Sequence, residues 1–336
     1  MRIADSRMLC MMTNALLVAA IAQGAETRSV TLTYTATIQS IPENCETIDL
    51  WVPIAQNTDG QVVSDIRVIY PEDGSIAVEP EHGNKMWHKR FTAPFESDFV
   101  DGHLGVQIEF DIHRKEIVVE AAKSLSDTRP EPPGDLFGKY LESNALIPIQ
   151  LDPVVEVAIE LQLRDQPPIV AARRVYDWLI EEFTYDWRAP GAGEGDVRWA
   201  CDSKTGDCSD YHSMFLALCR TAGIPADHEF GYPIRVRGTS GRIPSYHCWA
   251  RFYVDGVGWI PIDASEADKN PDLREYNFGS QSPNLFKFTH GRDVTLAPPQ
   301  QGPPLNYFVH PYVETDGAPH PDVNYTVYFK EIPPID

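Results

Sequence analysis

The segment GDCSDYHSMFLALCRTAGIPA, residues 206–226, predicts a helix with a cysteine in its first turn. Its apolar side chains recur at helical spacing, and Gly223 followed by Pro225 ends the helix. Cys208 precedes the first apolar residue by three, so it faces inward at the positive end of the helix dipole, where a thiolate is favoured. A cysteine at a helix start is often only structural, so this segment alone leaves its role open. The apolar face consists of Tyr211, Phe215, Leu218, Cys219 and Ala222.

A second segment, YHCWARFYVDGVGWIPIDASEA at residues 246–267, predicts a β-hairpin. Alternation along its first strand puts His247 on one face and Cys248 on the other. A two-residue turn would place His247 and Asp263 on opposite faces, whereas a three-residue loop at 255–257 makes them diagonal neighbours on one face. We predict the three-residue loop, which brings the two side chains within reach of each other.

Together the two segments supply the groups of a thiol triad. His247 would share the proton of Cys208, and Asp263 would fix the imidazole tautomer. The thiolate could then attack an amide or ester carbonyl and form a thioester. The alternative is a metal site with four ligands: Cys208, His212, His247 and Cys248. The chain contains no C-x₂₋₄-C pair and Cys248 points away from His247, so we predict no metal.

Both segments resemble the transglutaminase-like core of bacterial proteins. The resemblance runs over roughly 170–300 and extends to motifs of a bacterial subfamily. It implies an α+β, papain-like or transglutaminase-like fold, in which a helix-borne cysteine faces an antiparallel sheet, with Cys208 as nucleophile, His247 as base and Asp263 as orienting acid. It implies no cofactor. The further motifs are Leu50-Trp51-Val52-Pro53, Gly83-Asn84, Phe278-Gly279, Gly291-Arg292-Asp293 and Leu305-Asn306-Tyr307-Phe308.

Four further side chains are candidates for the substrate site. Trp187 and Trp199 lie upstream of the cysteine, and some family members use an upstream indole N–H in the oxyanion hole; packing or a cleft wall is the alternative for both. His212 lies one turn after Cys208 and is a candidate for support or for a cleft wall. Trp249 shares the strand face of the predicted base. We expect the Cys208 backbone N–H to be the first oxyanion donor.

Residues 1–24 predict a secretory signal peptide. Arg2 and Arg7 precede the short apolar core Ala15–Ala22, and small residues allow cleavage after Gly24. The core is too short for a stable membrane anchor, so we expect no integral membrane segment after cleavage.

The rest of the chain divides into three predicted parts. Alternating apolar residues at 25–123 predict an all-β, immunoglobulin-like sandwich of about seven strands. Residues 124–150 are polar and rich in proline, which predicts a linker. Residues 151–336 would form the transglutaminase-like catalytic domain with a C-terminal extension, with helices beginning near Asp152-Pro153 and Pro168. The predicted N-terminal strands lie at 30–38, 48–54, 66–70, 76–78 and 104–112.

Composition narrows the classes of function. The 336 residues include 49 acidic and 28 basic side chains, a formal charge of −21, which argues against nucleic acid as a partner. A hydrophobic fraction of 43% is enough for real cores and excludes global disorder. Six cysteines in a chain of this length do not make a disulfide scaffold.

These observations predict an exported enzyme, secreted or periplasmic, that acts on amide bonds of proteins or peptides through a thioester on Cys208. If water resolves the thioester, the enzyme is a peptidase or amidase, the outcome we favour. If a lysine amine resolves it, the enzyme cross-links proteins. The alternative from another class is a non-catalytic binding module of the same fold.

Overall fold

The structure, a computed structural model, describes residues 26–100, 102–124, 135–235 and 238–333. The predicted signal peptide and most of the predicted linker lie outside the described residues. Among the residues described, no helix is long and apolar enough to cross a membrane.

The described chain combines many short strands with a smaller number of helices. The helices are α1 (Glu120–Lys123), α2 (Asp152–Glu160), α3 (Pro168–Glu182), α4 (Val197–Ser203), α5 (Cys208–Thr221) and α6 (Ala264–Lys269). The strands are β1 (Thr27–Ile38), β2 (Thr47–Pro53), β3 (Gln61–Tyr70), β4 (Ser75–Val78), β5 (Lys85–Thr92), β6 (Leu104–Lys115), β7 (Ile117–Val118), β8 (Thr184–Tyr185), β9 (Thr205–Gly206), β10 (Ala226–Pro233), β11 (Ser240–Ile243), β12 (His247–Val254), β13 (Gly258–Ile262), β14 (Ser280–Gln281), β15 (Leu285–His290), β16 (Tyr312–Thr315), β17 (Ala318–Pro319) and β18 (Val323–Glu331).

The N-terminal part of the chain forms strands at each of the five predicted positions, with β5 in addition. Strands β1 to β6 lie in two five-stranded sheets, of order β11-β18-β1-β6-β3 and β17-β16-β2-β5-β4, whereas the short β7 pairs with β14. The C-terminal strand β18 pairs antiparallel with β1, and β16 pairs antiparallel with β2. The two sheets are therefore completed by residues from the far end of the chain.

This arrangement differs from the predicted division into a separate sandwich at 25–123 and a catalytic domain at 151–336. The alternating pattern of a strand predicts which face is buried but does not identify its partner. The inward side chains of β1 and β6 belong to the same apolar cluster as those of β2, β10 and β15. Tyr34, for example, packs edge-on against Tyr232 with ring centroids 5.9 Å apart. The two parts of the chain therefore share one core, in which burying each such ring stabilises the fold by about 2 kcal/mol.

The predicted linker also differs from expectation at its C-terminal end. Phe137 stacks on Tyr253 of β12 with ring centroids 4.1 Å apart, and Tyr140 meets Trp259 of β13 at 5.0 Å. The Arg220 guanidinium donates to the carbonyl oxygen of Glu142 at 2.8 Å. Residues 137–142 are therefore packed against the hairpin and α5, which polar and proline-rich composition did not predict.

Helix α5 begins at the cysteine, as predicted, and ends at Thr221. Asp207 and Asp210 form a capping box at its start, and Gly223 follows its end at a φ of +82°. All of its residues are buried, because it packs on β12 and is surrounded by α2, α3, α4 and α6. This central position fixes the first turn of α5 against the sheet β13-β12-β10-β15.

The predicted register of the hairpin is confirmed. Val254 pairs with Gly258 across a three-residue loop, and the ladder continues to Ala250 opposite Ile262. The next step of this register places Trp249 opposite Asp263 and puts His247 diagonal to that carboxylate.

Candidate active site

Three buried side chains meet where the start of α5 faces the hairpin. His247 Nε2 lies 2.6 Å from Asp263 Oδ2, and the Cys208 and His247 side chains line the same cleft. All three residues are at most 5% exposed. The geometry therefore brings together the nucleophile, base and orienting acid that the sequence predicted.

The charges of these groups favour a thiolate–imidazolium pair. A hydrogen bond from Cys248 and then one from His247 hold the pKa of Cys208 well below its usual range, against the opposing effect of burial. Burial alone would lower the pKa of His247, but the Asp263 carboxylate and the Cys208 thiolate together raise it to about 9. Burial likewise opposes ionisation of Asp263, yet the His247 charge holds the pKa of that carboxyl below its ordinary value. The resting site is thus poised for nucleophilic attack by sulfur.

The orienting carboxylate is itself fixed by its neighbours. Asp263 Oδ1 accepts hydrogen bonds from the Glu266 backbone N–H at 2.9 Å and the Ser265 hydroxyl at 3.0 Å, because Asp263 is also the N-cap of α6. His212 Nε2 accepts the Ala264 N–H at 3.2 Å. His212 is fully buried, and burial lowers its pKa to about 4. The alternative of a cleft wall for His212 is therefore wrong, and the residue supports the loop that presents Asp263.

Cys208 opens onto a cleft of about 470 Å³. Its lining also includes Trp187, which is 62% exposed, so of the alternatives for this indole the structure favours a position on the cleft wall. Trp199 packs on the hydrophobic core and beside Gly191 instead, and it does not line this cleft. As the N-cap of α5, the Asp207 side chain accepts hydrogen bonds from the backbone N–H groups of Ser209 and Asp210. The Cys208 N–H is therefore available to stabilise an oxyanion. The lining residues are Tyr185, Trp187, Asp207, Cys208, Arg235, Ser245, Tyr246, His247 and Lys269.

A larger cavity of about 750 Å³ lies on the far side of the triad carboxylate. Asp263 and Trp249 line it, and Arg235 lines both this cavity and the cleft. Arg235 is held by Glu266, with Nη2 to Oε2 at 2.7 Å. The Trp249 indole donates to Glu229 at 2.6 Å. Trp249, which we predicted to bind substrate, therefore lines the rear cavity rather than the cleft.

The position of Cys248 beside the first turn of α5 was not predicted from the sequence. Alternation does place Cys248 opposite His247, but the first turn of α5 packs on that face, where the Cys208 and Cys248 thiols shift each other's pKa. The Cys248 sulfur also lies 3.7 Å from the Ser209 hydroxyl and 3.9 Å from His212 Nδ1. Strand alternation gives the face, but the position of a helix over that face comes only from the tertiary structure.

The C-terminal motifs hold the loop that flanks the cysteine. Arg292 is buried and donates to the Glu194 carbonyl oxygen at 2.8 Å, and the Asn306 amide donates to the same oxygen at 2.8 Å. Asp210 accepts the N–H of Gly193 at 2.9 Å and of Gly195 at 3.0 Å. Both motifs could be recognised in the sequence, but the loop that they hold could not be predicted from it: Gly291-Arg292-Asp293 and Leu305-Asn306-Tyr307-Phe308.

Gly195 is the position in this loop where a side chain would be most disruptive. Its φ is +64°, and a Cβ there would lie 2.4 Å from the Ser213 hydroxyl. We expect Gly195→Ala to lower the free energy of unfolding by about 2–3 kcal/mol in urea denaturation, since a strained backbone and a steric clash act together. Gly223→Ala is the matched control, because its φ is +82° but its Cβ would meet nothing within 4 Å. Equal losses for the two variants would contradict the close packing of this loop.

Two groups of side chains have the spacing of metal ligands. The ligand atoms of His212, His228 and Cys248 lie within 4.8 Å of one another, as do those of His247, Asp263 and Glu266. In the first group, the Arg292 guanidinium lies 3.4 Å from His228 Nδ1, so a fixed positive charge opposes a cation there. In the second group, His247 and Asp263 are already engaged with each other. The first group therefore lies beside a fixed cation, and the second is part of the triad.

Comparison with known proteins agrees with this geometry. Residues 156–264 match the model of the transglutaminase-like superfamily. The chain is 27% identical to a protein of Haemophilus influenzae described as uncharacterized, with 81% of each chain covered. The fold is similar to that of a Cytophaga hutchinsonii protein named as a candidate cysteine protease, with a TM-score of 0.61, 16% identity and 93% of each chain covered. The periplasmic domain of TgpA from Pseudomonas aeruginosa aligns with a TM-score of 0.36 and 15% identity, over 76% of this chain and 92% of that one. Cys208, His247 and Asp263 all lie within the stretch 156–264 that matches the transglutaminase-like superfamily model.

Proposed function

We propose that this protein is a thiol enzyme that cleaves amide bonds of proteins or peptides through a thioester on Cys208. The observation that carries the proposal is the buried chain of contacts from Cys208 through His247 to Asp263 at the floor of an accessible cleft. A cleft of about 470 Å³ is within the range that takes small ligands or a short peptide segment.

The reaction follows from the charges at the site. The Cys208 thiolate attacks the amide carbon, and the Cys208 N–H stabilises the oxyanion. The tetrahedral intermediate expels the amine, which receives its proton from the His247 imidazolium, and a thioester remains. Neutral His247 then takes a proton from water as the water attacks the thioester, which releases the carboxylic acid and restores the thiolate. Asp263 stays ionised throughout and holds the Nε2–H of His247.

Water access supports hydrolysis as the main outcome. Trp187 on the cleft wall is 62% exposed, and Lys269 at the cleft is half-buried, so the cleft is open to solvent on that side. An open cleft delivers water to the thioester, whereas a dry tunnel would favour an amine.

A cross-linking transglutaminase is the second candidate. The rear cavity is lined by four carboxylates against two guanidinium groups, so its charge is negative on balance: Glu26, Glu116, Asp263 and Glu266 against Arg28 and Arg235. This negative charge would attract a protonated amine, so a lysine side chain could approach the thioester from this side. The partner in either case is a protein or peptide. A non-catalytic binding module is less well supported, because it would have no use for a thiolate held against an imidazolium.

Export remains part of the proposal. It rests on the basic start, the apolar core Ala15–Ala22 and the small residues before position 25. A secreted or periplasmic location would give the enzyme access to proteins outside the cytoplasm.

The proposal is tested by looking for the thioester and its products. We expect p-nitrophenyl acetate to leave an acetyl group on Cys208, detected by mass spectrometry of the tryptic peptide 205–220. With unfolded casein in water enriched in heavy oxygen, we expect new carboxyl groups that carry the heavy isotope. A biotin-linked primary amine in the same reaction would label casein only if the enzyme cross-links.

Cys208→Ala should abolish both the acetyl group and the products, and Cys219→Ala should retain them because Cys219 lies in the core away from the cleft. Acetylation of Cys208 without any product from casein would restrict the enzyme to other acyl substrates. Absence of acetylation on folded wild-type protein would overturn the enzymatic proposal.

A further inference from the structure

The proposed mechanism uses Cys208 and leaves Cys248 without a task. Yet Cys248 is fully buried, it shares one apolar cluster with Cys208, and its sulfur lies 3.7 Å from the hydroxyl of Ser209, the residue next to the nucleophile. The five cysteines that the structure describes are all free thiols, so this pair is reduced. A second thiol in contact with a reactive thiolate is the arrangement in which a disulfide forms most readily.

The remaining described cysteines are placed elsewhere. Cys219 follows Cys208 by eleven residues on the same helix, which separates them by about 16 Å along its axis. Cys219 also belongs to a different apolar cluster from the one that contains Cys208 and Cys248. The Cys45 thiol donates to the Thr47 carbonyl oxygen at 3.3 Å, and Cys201 packs on the cluster that contains Cys219. Among the described cysteines, Cys248 is therefore the one whose thiol interacts with that of Cys208.

The two thiols differ in access and in charge. Cys208 lines the cleft and is 5% exposed, whereas Cys248 has no exposed surface. Burial and the neighbouring Cys208 thiolate both raise the pKa of Cys248, so it stays protonated while Cys208 is ionised. A small oxidant that enters the cleft therefore meets Cys208 first, in its reactive form.

We propose that Cys248 is a resolving thiol, which converts peroxide-oxidised Cys208 into a reversible Cys208–Cys248 disulfide. The inference rests on the reactive Cys208 of the proposed function but not on any substrate of the enzyme. The ligand of this second site is hydrogen peroxide or a small organic hydroperoxide.

The chemistry balances in two steps. The Cys208 thiolate attacks one peroxide oxygen, the O–O bond breaks, and the leaving hydroxide takes the proton of the His247 imidazolium as water; Cys208 is now a sulfenic acid. Conversion to a neutral sulfenic acid removes the negative charge that had raised the pKa of Cys248. The Cys248 sulfur then attacks the Cys208 sulfur, the S–O bond breaks, and the hydroxide leaves with the Cys248 proton as a second water. Peroxide is reduced by two electrons and the two thiols are oxidised by two.

The disulfide would protect the nucleophile as well as block it. Without a resolving thiol, a sulfenic acid exposed to more peroxide proceeds to sulfinic and sulfonic acids, which ordinary thiols cannot reduce. With Cys248 in place, the enzyme would lose acyl transfer under peroxide and regain it on reduction.

The test measures the oxidation state of Cys208 in the full-length protein after treatment with hydrogen peroxide. We expect wild-type protein to give a disulfide between the tryptic peptides 205–220 and 243–251, and dithiothreitol to restore alkylation of Cys208 by iodoacetamide. We expect Cys248→Ser to accumulate sulfinic and sulfonic acid on Cys208, with at least a fivefold smaller fraction recovered by dithiothreitol.

Cys219→Ala is the matched control, because peptide 205–220 contains both Cys208 and Cys219 and the variant removes that ambiguity. It should behave as wild type. Sulfinic acid on wild-type Cys208 without the disulfide, equal recovery of the Cys248→Ser variant, or no oxidation of Cys208 at all would each overturn the proposal. A protein that forms the disulfide yet fails to accept an acetyl group would leave this inference standing while the proposed function fails.

Discussion

Asp263→Asn is expected to lower the turnover of acyl transfer by about 10⁴-fold while leaving the fold intact. Asn can still cap α6, because its amide oxygen can accept the Glu266 N–H that Asp263 Oδ1 accepts at 2.9 Å. Its NH₂ group, however, donates towards His247 Nε2, which then has to accept. The ring is forced into the tautomer with its proton on Nδ1, facing Cys208, and it can no longer take the thiol proton. The loss is measured as the rate of p-nitrophenol release from p-nitrophenyl acetate.

Asp268→Asn is the control for this change. Asp268 lies on the same short helix and accepts the Tyr211 hydroxyl at 2.8 Å, but it does not contact the triad. It should retain at least a third of the wild-type rate. If Asp263→Asn kept more than a tenth of the wild-type rate with unchanged thermal unfolding, Asp263 would not be the residue that orients His247.

His247→Ala is expected to slow alkylation of Cys208 by iodoacetamide at pH 6 by at least tenfold. In the wild-type protein the pKa of Cys208 is held well below that of an ordinary thiol, so we expect a substantial thiolate fraction at pH 6. If the pKa returned to about 8.5, the thiolate fraction at pH 6 would fall to less than about 1%. Cys248 still donates its hydrogen bond in the variant, so part of the depression should survive. The rate is followed by mass spectrometry of peptide 205–220 between pH 5 and pH 10.

Above pH 9 we expect the rate of alkylation and the rate of acyl transfer to diverge. His247 has a pKa raised to about 9, so it loses its proton above that pH while Cys208 remains a thiolate. Alkylation should therefore stay fast above pH 9, whereas acyl transfer, which needs the His247 proton for the leaving amine, should decline. His103→Ala, at an exposed site away from the cleft, should match wild type at every pH. An alkylation profile for wild type with a midpoint near 8.5 would show that the thiolate is not stabilised.

The parts of the site that follow local rules could be predicted. The register of the hairpin needed only side-chain alternation and the length of one loop, and it placed His247 beside Asp263 correctly. The start and end of α5 followed from Asp207 and Gly223, whose preferences are properties of the residues themselves.

The parts of the site that depend on residues far apart in the sequence could not be predicted. Trp187 and Trp199 were equal candidates in the sequence, and only the packing of the loop at 189–196 put one at the cleft and the other on the core. The roles of Cys248 and Arg292 depend on which surface packs over them. The alternating pattern of β18 likewise did not predict its pairing with β1, because nothing in the neighbouring sequence indicates that residues 30 and 331 are paired.

That last pairing has a consequence for how the molecule is made. Val30 lies opposite Glu331, so the first described strand is held between β6 and a strand some three hundred residues later in synthesis. During synthesis, one edge of β1 stays unpaired until β18 has left the ribosome. Pairing between residues so far apart in the chain is also slow. The shared core of β1, β10 and β15 closes only then. Both five-stranded sheets therefore reach their full number of strands only after the C-terminal strands have been synthesised.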